Sequence, residues 1–293
     1  MVDIYESNIK INDMYLDTFN NTDISNHLGD WIHNTDTLRN QFLCAEPFEH
    51  VVIDNFLQND YAEKIAHLFP DDLSKWHKYC NPIEVKYAYD NINVLPDDLK
   101  DYFYMMSCSQ FVDIVKSITN ITDLEYDPYL HGAGLHRHST HGKLDIHLDY
   151  EKHPYSGKER RINIILFLSK DWKEEWNGAS ELWNKDVSAC VQKTYIKFNR
   201  AIIFKTNDIS WHGMPDKITC PENTYRSTLA YYYVSPLCCK KDDTAYRMKA
   251  SYTKRPQDTY DPNKAELFKI RANRRITQAD LDKLFPKWSI NDA

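Results

Sequence analysis

Glycine is scarce in this 293-residue chain. There are only 7, about a third of the usual share, and six of them (Gly132, Gly134, Gly142, Gly157, Gly178, Gly213) lie in the middle of the sequence. Glycine permits tight turns and close backbone approach, so the chain concentrates that freedom in one region. Neither GxGxxG nor GxxxxGK[ST] occurs, which excludes Rossmann and P-loop nucleotide sites. The seven cysteines form no CxxC pair and are odd in number, arguing against a zinc ribbon or a disulfide framework. The longest apolar run, 164–168, is far too short to cross a bilayer, and the opening MVDIYESNIKIND has no signal-peptide pattern. Positive charge is also in deficit, with 36 basic against 43 acidic side chains. That balance suits nucleic-acid backbone poorly. The expectation is a cytoplasmic protein with neither a membrane nor a nucleic acid as partner.

What is present divides the chain in three. Residues 1–45 are polar and asparagine-rich, and are expected to be a loosely packed lead-in. A domain at 46–236 opens with mixed structure: a strand in HVVIDNFL, a helix at 60–69 capped by Asp60, a strand at 83–89, and a helix at about 96–119 with apolar residues at helical spacing. From Tyr129 to Val234 short β runs dominate, at 144–150, 161–169, 180–184, 194–198, 201–206 and 225–235, a pattern of barrels and jelly rolls. Residues 237–293 carry 13 basic and 8 acidic side chains and read as a charged helical extension. In it Asp261-Pro262 is a helix start, and Thr277 with Asp280 is a capping box.

The chemistry begins in LDIHLDY. On a strand Asp145, His147 and Asp149 share one face, opposite Leu144, Ile146 and Leu148. An imidazole and a carboxylate two residues apart can therefore hold one metal ion together. HxD alone is weak. His212 follows 63 residues after Asp149, in SWHGMP, and Arg226 comes 14 residues later in the strand YRSTLAYYY. Two histidines and one carboxylate leave positions of an octahedral iron(II) open. An arginine pointing into a barrel interior needs an anion to meet it. A carboxylate suits its planar fork, and Thr228, two residues on, could add a hydroxyl.

HLD, a later HG and an arginine-led RST strand resemble the iron(II)- and 2-oxoglutarate-dependent dioxygenases, in particular their prolyl 4-hydroxylase-like branch. The similarity spans about 130–236, through GLHRHSTHGKLDIHLDY, RRINIILFLSKDWKEEWNGASELWNKD, NRAIIFKTNDISWHGMP and YRSTLAYYYVSP. The resemblance implies a double-stranded β-helix, mainly β with flanking helices. It makes His147, Asp149 and His212 the iron ligands, and gives the distal carboxylate of 2-oxoglutarate to Arg226 with Thr228. A tyrosine of the family falls at Phe167, which has no hydroxyl, and Asn163 on the same face is a candidate replacement. The family's GGxL becomes Asn177-Gly178-Ala179-Ser180.

The implied activity is hydroxylation of an unactivated C–H bond with Fe(II), 2-oxoglutarate and molecular oxygen, ascorbate serving as reductant. A prolyl or related amino-acid substrate leads. A sugar or other small metabolite is the alternative, and a non-catalytic cupin-like binding module is another. Halogenation is not expected, because Asp149 fills the position a halide would need. His131, His136, His138 and His141 read as pocket or structural residues, since no suitably spaced glutamate makes His136-x-His138 a cupin site. Tyr150 and Glu151 are candidates for the pocket rim.

Overall fold

The computed structural model describes residues 11–238, 242 and 245–290. Residues 1–10 of the expected lead-in, and 239–241, 243–244 and 291–293 of the extension, lie outside the described residues. The N-terminal part forms helices α1 (Asp13–Asn20), α2 (Thr35–Cys44), α3 (Asn59–His67), α4 (Asp97–Ser107) and α5 (Ser109–Thr119), with strands β1 (His50–Ile53), β2 (His77–Asn81) and β3 (Glu84–Tyr89). Next come β4 (Glu125–Tyr126), β5 (Gly134–His138), β6 (Lys143–Leu148), β7 (Glu159–Phe167), β8 (Ser180–Trp183), β9 (Cys190–Thr194), β10 (Arg200–Lys205), β11 (His212–Met214) and β12 (Arg226–Ser235). The extension adds β13 (Ser251–Tyr252), α6 (Pro262–Asn273) and α7 (Gln278–Leu284). Among the described residues no helix is long and apolar enough to cross a membrane.

The strand order is β1-β10-β7-β12-β5-β3-β6-β11-β8-β9. From β5 onward the chain alternates between the half holding β5, β7, β10 and β12 and the half holding β6, β8, β9 and β11. β3 joins the halves by pairing with both β5 and β6. This is the winding of the expected double-stranded β-helix, with helices packed outside.

Side-chain alternation decides what each face does. On β7, Ile162, Ile164 and Leu166 are fully buried among the helices, beside Phe111, Val115 and Ile118 of α5. Each such side chain contributes roughly 1.5–3 kcal/mol by leaving water. Asn163 and Ile165 face the other way, into a cavity. On β12, Leu229, Tyr231 and Tyr233 pack with the helices, while Arg226, Thr228, Ala230 and Tyr232 line that cavity. The helices anchor the sheet by one face and leave the other for chemistry.

Several expectations need correction. Residues 11–44 are not loosely packed: Ile11, Leu16, Ile24, Leu28, Trp31 and Phe42 are buried in the main core. Asn12 and Asp23 cap local turns with their side chains, so part of this segment's polarity is capping chemistry. The helix at 96–119 is two helices, broken where Cys108 adopts extended dihedrals (φ −68°, ψ 155°). The strand of HVVIDNFL stops at Ile53, and Asn55 turns with φ 51°. Gln58, not Asp60, is the α3 cap, and Asp60 sits in the first turn, where a negative charge suits the helix dipole. The strand expected at 194–198 lies earlier, at Cys190–Thr194, paired to β8. Both helix starts of the extension hold: Asp261 accepts from the Asn263 and Lys264 amides, and Thr277 with Asp280 forms a capping box.

Candidate active site

His147 lies on β6, Asp149 follows immediately after that strand's end, and His212 opens β11 directly opposite His147. Gly213 is what lets β11 come so close: a Cβ there would stand 2.8 Å from the Leu144 carbonyl oxygen. One ligand atom from each of the three residues lies within 4.8 Å of the others. His147 Nδ1 is 2.9 Å from the Asp145 carbonyl oxygen, and His212 Nδ1 is 2.8 Å from that of Ser210. A carbonyl only accepts, so each Nδ1 carries the proton and each Nε2 keeps a lone pair. Those bare Nε2 atoms face Asp149 at 3.6 and 3.7 Å. Asp149 Oδ2 is buried without a hydrogen bond. Three acceptors with no proton to share fit a divalent cation, and the N₂O donor set suits iron(II). The structure thus brings the sequence-predicted triad together as a group that fits the metal.

The charges around it are balanced. Burial alone would raise the Asp149 pKa, but the Arg160 guanidinium beside it holds it well below the usual carboxylate range. Burial, aided by His147, pushes His212 down to about 4, keeping it neutral. Arg160 Nη1 is 3.3 Å from Asp149 Oδ2, and its guanidinium lies between the rings of Tyr150 and Tyr232, 3.9 and 3.2 Å from their centroids. Its Nη2 donates to the His131 carbonyl, as does the Tyr150 hydroxyl. Sequence reading missed Arg160. It placed Tyr150 at the rim, and Tyr150 does line the cavity. Glu151 is instead tied to the Arg247 amide at 2.8 Å.

The cavity, of about 280 Å³, runs from the triad to Arg226. Arg226 Nε donates to the Gly178 carbonyl at 2.8 Å, and Nη2 to Ser180 Oγ at 3.1 Å. Among the described residues no carboxylate pairs with it, and burial pushes its pKa down to about 9. Gly178 has φ +87°, which favours glycine, and a Cβ there would press on Arg226 Cδ at 3.3 Å. In this chain Asn177-Gly178-Ala179-Ser180 supplies acceptors to the arginine. Phe167 lies under the guanidinium, 5.1 Å from ring centroid to carbon.

Thr228 stands between His136 on β5 and Phe167 on β7. His138 is opposite Arg226. Both its ring nitrogens are buried without hydrogen bonds, and burial together with Arg226 holds it neutral. Asn163 lines the cavity opposite Tyr232, with Oδ1 likewise buried and without a hydrogen bond. A lone buried cation beside a neutral imidazole without a partner fits an anionic ligand with several oxygens. His131 and His136 also line the cavity, as expected of pocket residues; His141 does not.

The extension reaches the site, which sequence reading did not anticipate. β13 pairs with β6 so that Tyr252 lies opposite His147. The two rings stack at 5.1 Å and 21°, and Phe268 of α6 stacks on Tyr252 at 6.2 Å and 15°.

Residues 133–234 match the model of the 2OG-Fe(II) oxygenase superfamily. No curated protein matches the chain. Among solved structures, a prolyl hydroxylase from Trichoplax adhaerens, in complex with a hypoxia inducible factor oxygen degradation domain peptide fragment, is similar with a TM-score of 0.51. It is 13% identical, and the alignment covers 71% of this chain and 94% of that one. A Pseudomonas putida prolyl-4-hydroxylase gives a TM-score of 0.49 at 12% identity, over 71% and 99%. HygX from Streptomyces hygroscopicus, with nickel, 2-oxoglutarate and hygromycin B bound, gives 0.43 at 12%, over 64% and 82%. The first of these likenesses establishes the shared fold.

Proposed function

We propose that this chain, which carries a 2OG-Fe(II) oxygenase domain over residues 133–234, hydroxylates an unactivated C–H bond of a prolyl or related amino-acid substrate. The oxygenase unit is taken to span 46–236, between an N-terminal segment at 1–45 and the extension at 237–293. The observation that carries the reading is the pairing, in one cavity, of a triad of protonless acceptors with a buried arginine that has no carboxylate partner among the described residues.

His147, Asp149 and His212 would hold Fe(II), and three ligands leave positions free for other molecules. With 2-oxoglutarate and molecular oxygen, iron supplies an oxidant able to take hydrogen from an unactivated carbon while 2-oxoglutarate becomes succinate and carbon dioxide. The protein's own part is binding and orientation. Arg226 receives the distal carboxylate, with Thr228 as hydroxyl partner. Asn163 takes a cosubstrate oxygen where Phe167 offers none, and His138 is a further neutral donor beside Arg226. The Nδ1 bonds to backbone carbonyls fix both imidazoles, and Arg160 fixes the carboxylate. Ascorbate would keep the iron reduced. A cytoplasmic setting suits the six described cysteines, which are all free thiols.

The test is succinate formation from 2-oxoglutarate with Fe(II) and ascorbate, since such oxygenases turn over slowly without substrate. Succinate that vanishes on chelation is the expected result, and none under any substrate pool would refute the reading. Product from high chloride should carry no chlorine isotope pattern, because Asp149 occupies the ligand position.

A further inference from the structure

The cavity wall is cationic in a protein whose formal charge is −7. Six cations and three carboxylates line it. Most are accounted for: Arg160 meets Asp149, Lys86 meets Glu84 at 2.9 Å, Arg226 is reserved for the cosubstrate, and Asp90 lies in the field of Arg275. Lys249 and Arg271 remain. Neither has a carboxylate within ion-pair distance among the described residues, although Arg271 lies in the field of Glu84, which Lys86 already pairs. Both belong to the C-terminal extension, Lys249 just before β13 and Arg271 in the last turn of α6, with its guanidinium 5.9 Å from the Tyr252 ring centroid. Tyr252 in turn stacks on His147, which sets Arg271 beside the metal end, and Lys249, three residues before Tyr252, lines the same cavity.

They are fixed there rather than left on a loose tail. Lys264 of α6 is 2.6 Å from Asp145 of β6, which also meets Lys143 at 3.0 Å. Leu267 is fully buried against Ile83, Ala250 and Tyr252. Beside the two cations, Met248 and Tyr155 also line the mouth and are 48% and 46% exposed. Exposed apolar side chains next to unmatched charge fit a ligand longer than a free amino acid, one with carboxylates to offer and apolar groups to cover.

We propose that Lys249 and Arg271 recognise acidic side chains flanking the residue to be oxidised, so that the substrate is an acidic peptide segment. The inference rests on the oxygenase reading above for the position of the reacting residue. Opposite charge at a rim steers encounter and suppresses wrong partners, and the extension would thus set selectivity for a centre it does not itself form.

The test uses the full chain loaded with Zn(II) and 2-oxoglutarate, which cannot turn over. It is titrated with two labelled proline-centred peptides of equal length, one flanked by aspartate and glutamate, the other by lysine and arginine. The acidic peptide should bind at least roughly tenfold tighter, and added salt should erode the difference. The double substitution Lys249→Glu with Arg271→Glu should abolish or invert the preference, whereas Arg271→Lys should keep most of it. Melting temperatures control for folding; if the double variant is unstable, Lys249→Ser carries the comparison and should lose part of the preference. Equal binding of both peptides, tighter binding of the basic one, or a preference that survives charge reversal would overturn the proposal. So would competition by free N-acetylaspartate at the peptide's own affinity. Charge-dependent peptide binding by a wild type that makes no succinate would sink the oxygenase reading while upholding acidic-peptide recognition by Lys249 and Arg271.

Discussion

The two ends of the cavity handle buried charge in opposite ways. At one end Asp149 meets Arg160 and faces two imidazoles, and aromatic rings enclose the arginine. At the other, Arg226 is bonded only to a carbonyl and a hydroxyl and carries its charge without a counter-ion among the described residues. A buried charge that the chain neutralises itself belongs to a permanent fixture; one left unmatched is held for a molecule that comes and goes. On the proposed reading the metal end is organised before any ligand arrives, and the arginine end would be completed by the cosubstrate.

The largest effect should come from breaking the organised end. His147→Ala or His212→Ala should remove metal binding and abolish succinate formation, with the barrel's circular dichroism unchanged. Retention of both metal and turnover in either variant would show that the ligands lie elsewhere. At the arginine end, Arg226→Ala should weaken 2-oxoglutarate binding by roughly 30-fold to several thousand-fold, from about 2–5 kcal/mol for an anion left without its partner. Lysine should restore only part, lacking the planar fork. The comparison sharpens with Arg226→Met: removing an uncompensated buried charge should raise the melting temperature of the ligand-free protein. A drop would mean that Arg226 is already compensated.

Arg160→Met should have an intermediate effect. Losing the group that fixes a ligating carboxylate costs roughly 10–100-fold in metal affinity, measurable by competition with a chelator. The smallest effect is on stability against pH. His131 and His212 are pushed down to about 4, and His136 and His138 fall well below 6.5, all first through burial. Unfolded imidazoles near 6.5 bind protons that these folded ones refuse. The stabilisation is complete above pH 6.5 and is lost as pH falls from there toward 4. Melting of the ligand-free protein across that window should decline, and less steeply in His131→Gln.

Much of the site is legible in the sequence because most of it sits on strands, although β6 is irregular between Leu144 and His147, so that Leu144 lines the cavity with the histidine. Alternation alone puts His147 and Asp149 on one face and Arg226 with Thr228 on another, and the order of the motifs supplies the rest. Arg160 escaped for a physical reason. On β7 the cavity-facing residues are odd-numbered, yet a register shift opposite Tyr233 and Val234 sets Arg160 against the latter, and such a bulge re-aims one side chain. An alternation extended backwards assigns Arg160 to the helix-packed face. The extension's part was illegible because β13 is two residues long, too short for any periodicity. In the lead-in, frequent asparagine and aspartate suggested loose chain, whereas some of those side chains close helix ends around a sparse apolar set.

The β13–β6 pairing has a practical side. β3 pairs with β6 at Lys143 and Leu144, the adjoining Ile83 carbonyl takes the Asp145 amide, and β13 covers β6 at His147 and Leu148. A chain shortened at residue 236, where the barrel itself ends, would bare backbone donors and acceptors beside His147 and expose Ile83 and Leu144. Open strand edges with apolar neighbours invite pairing between molecules. The shortened protein should therefore self-associate, and aggregation of such a fragment would report on its missing strand before any assay reported on its chemistry.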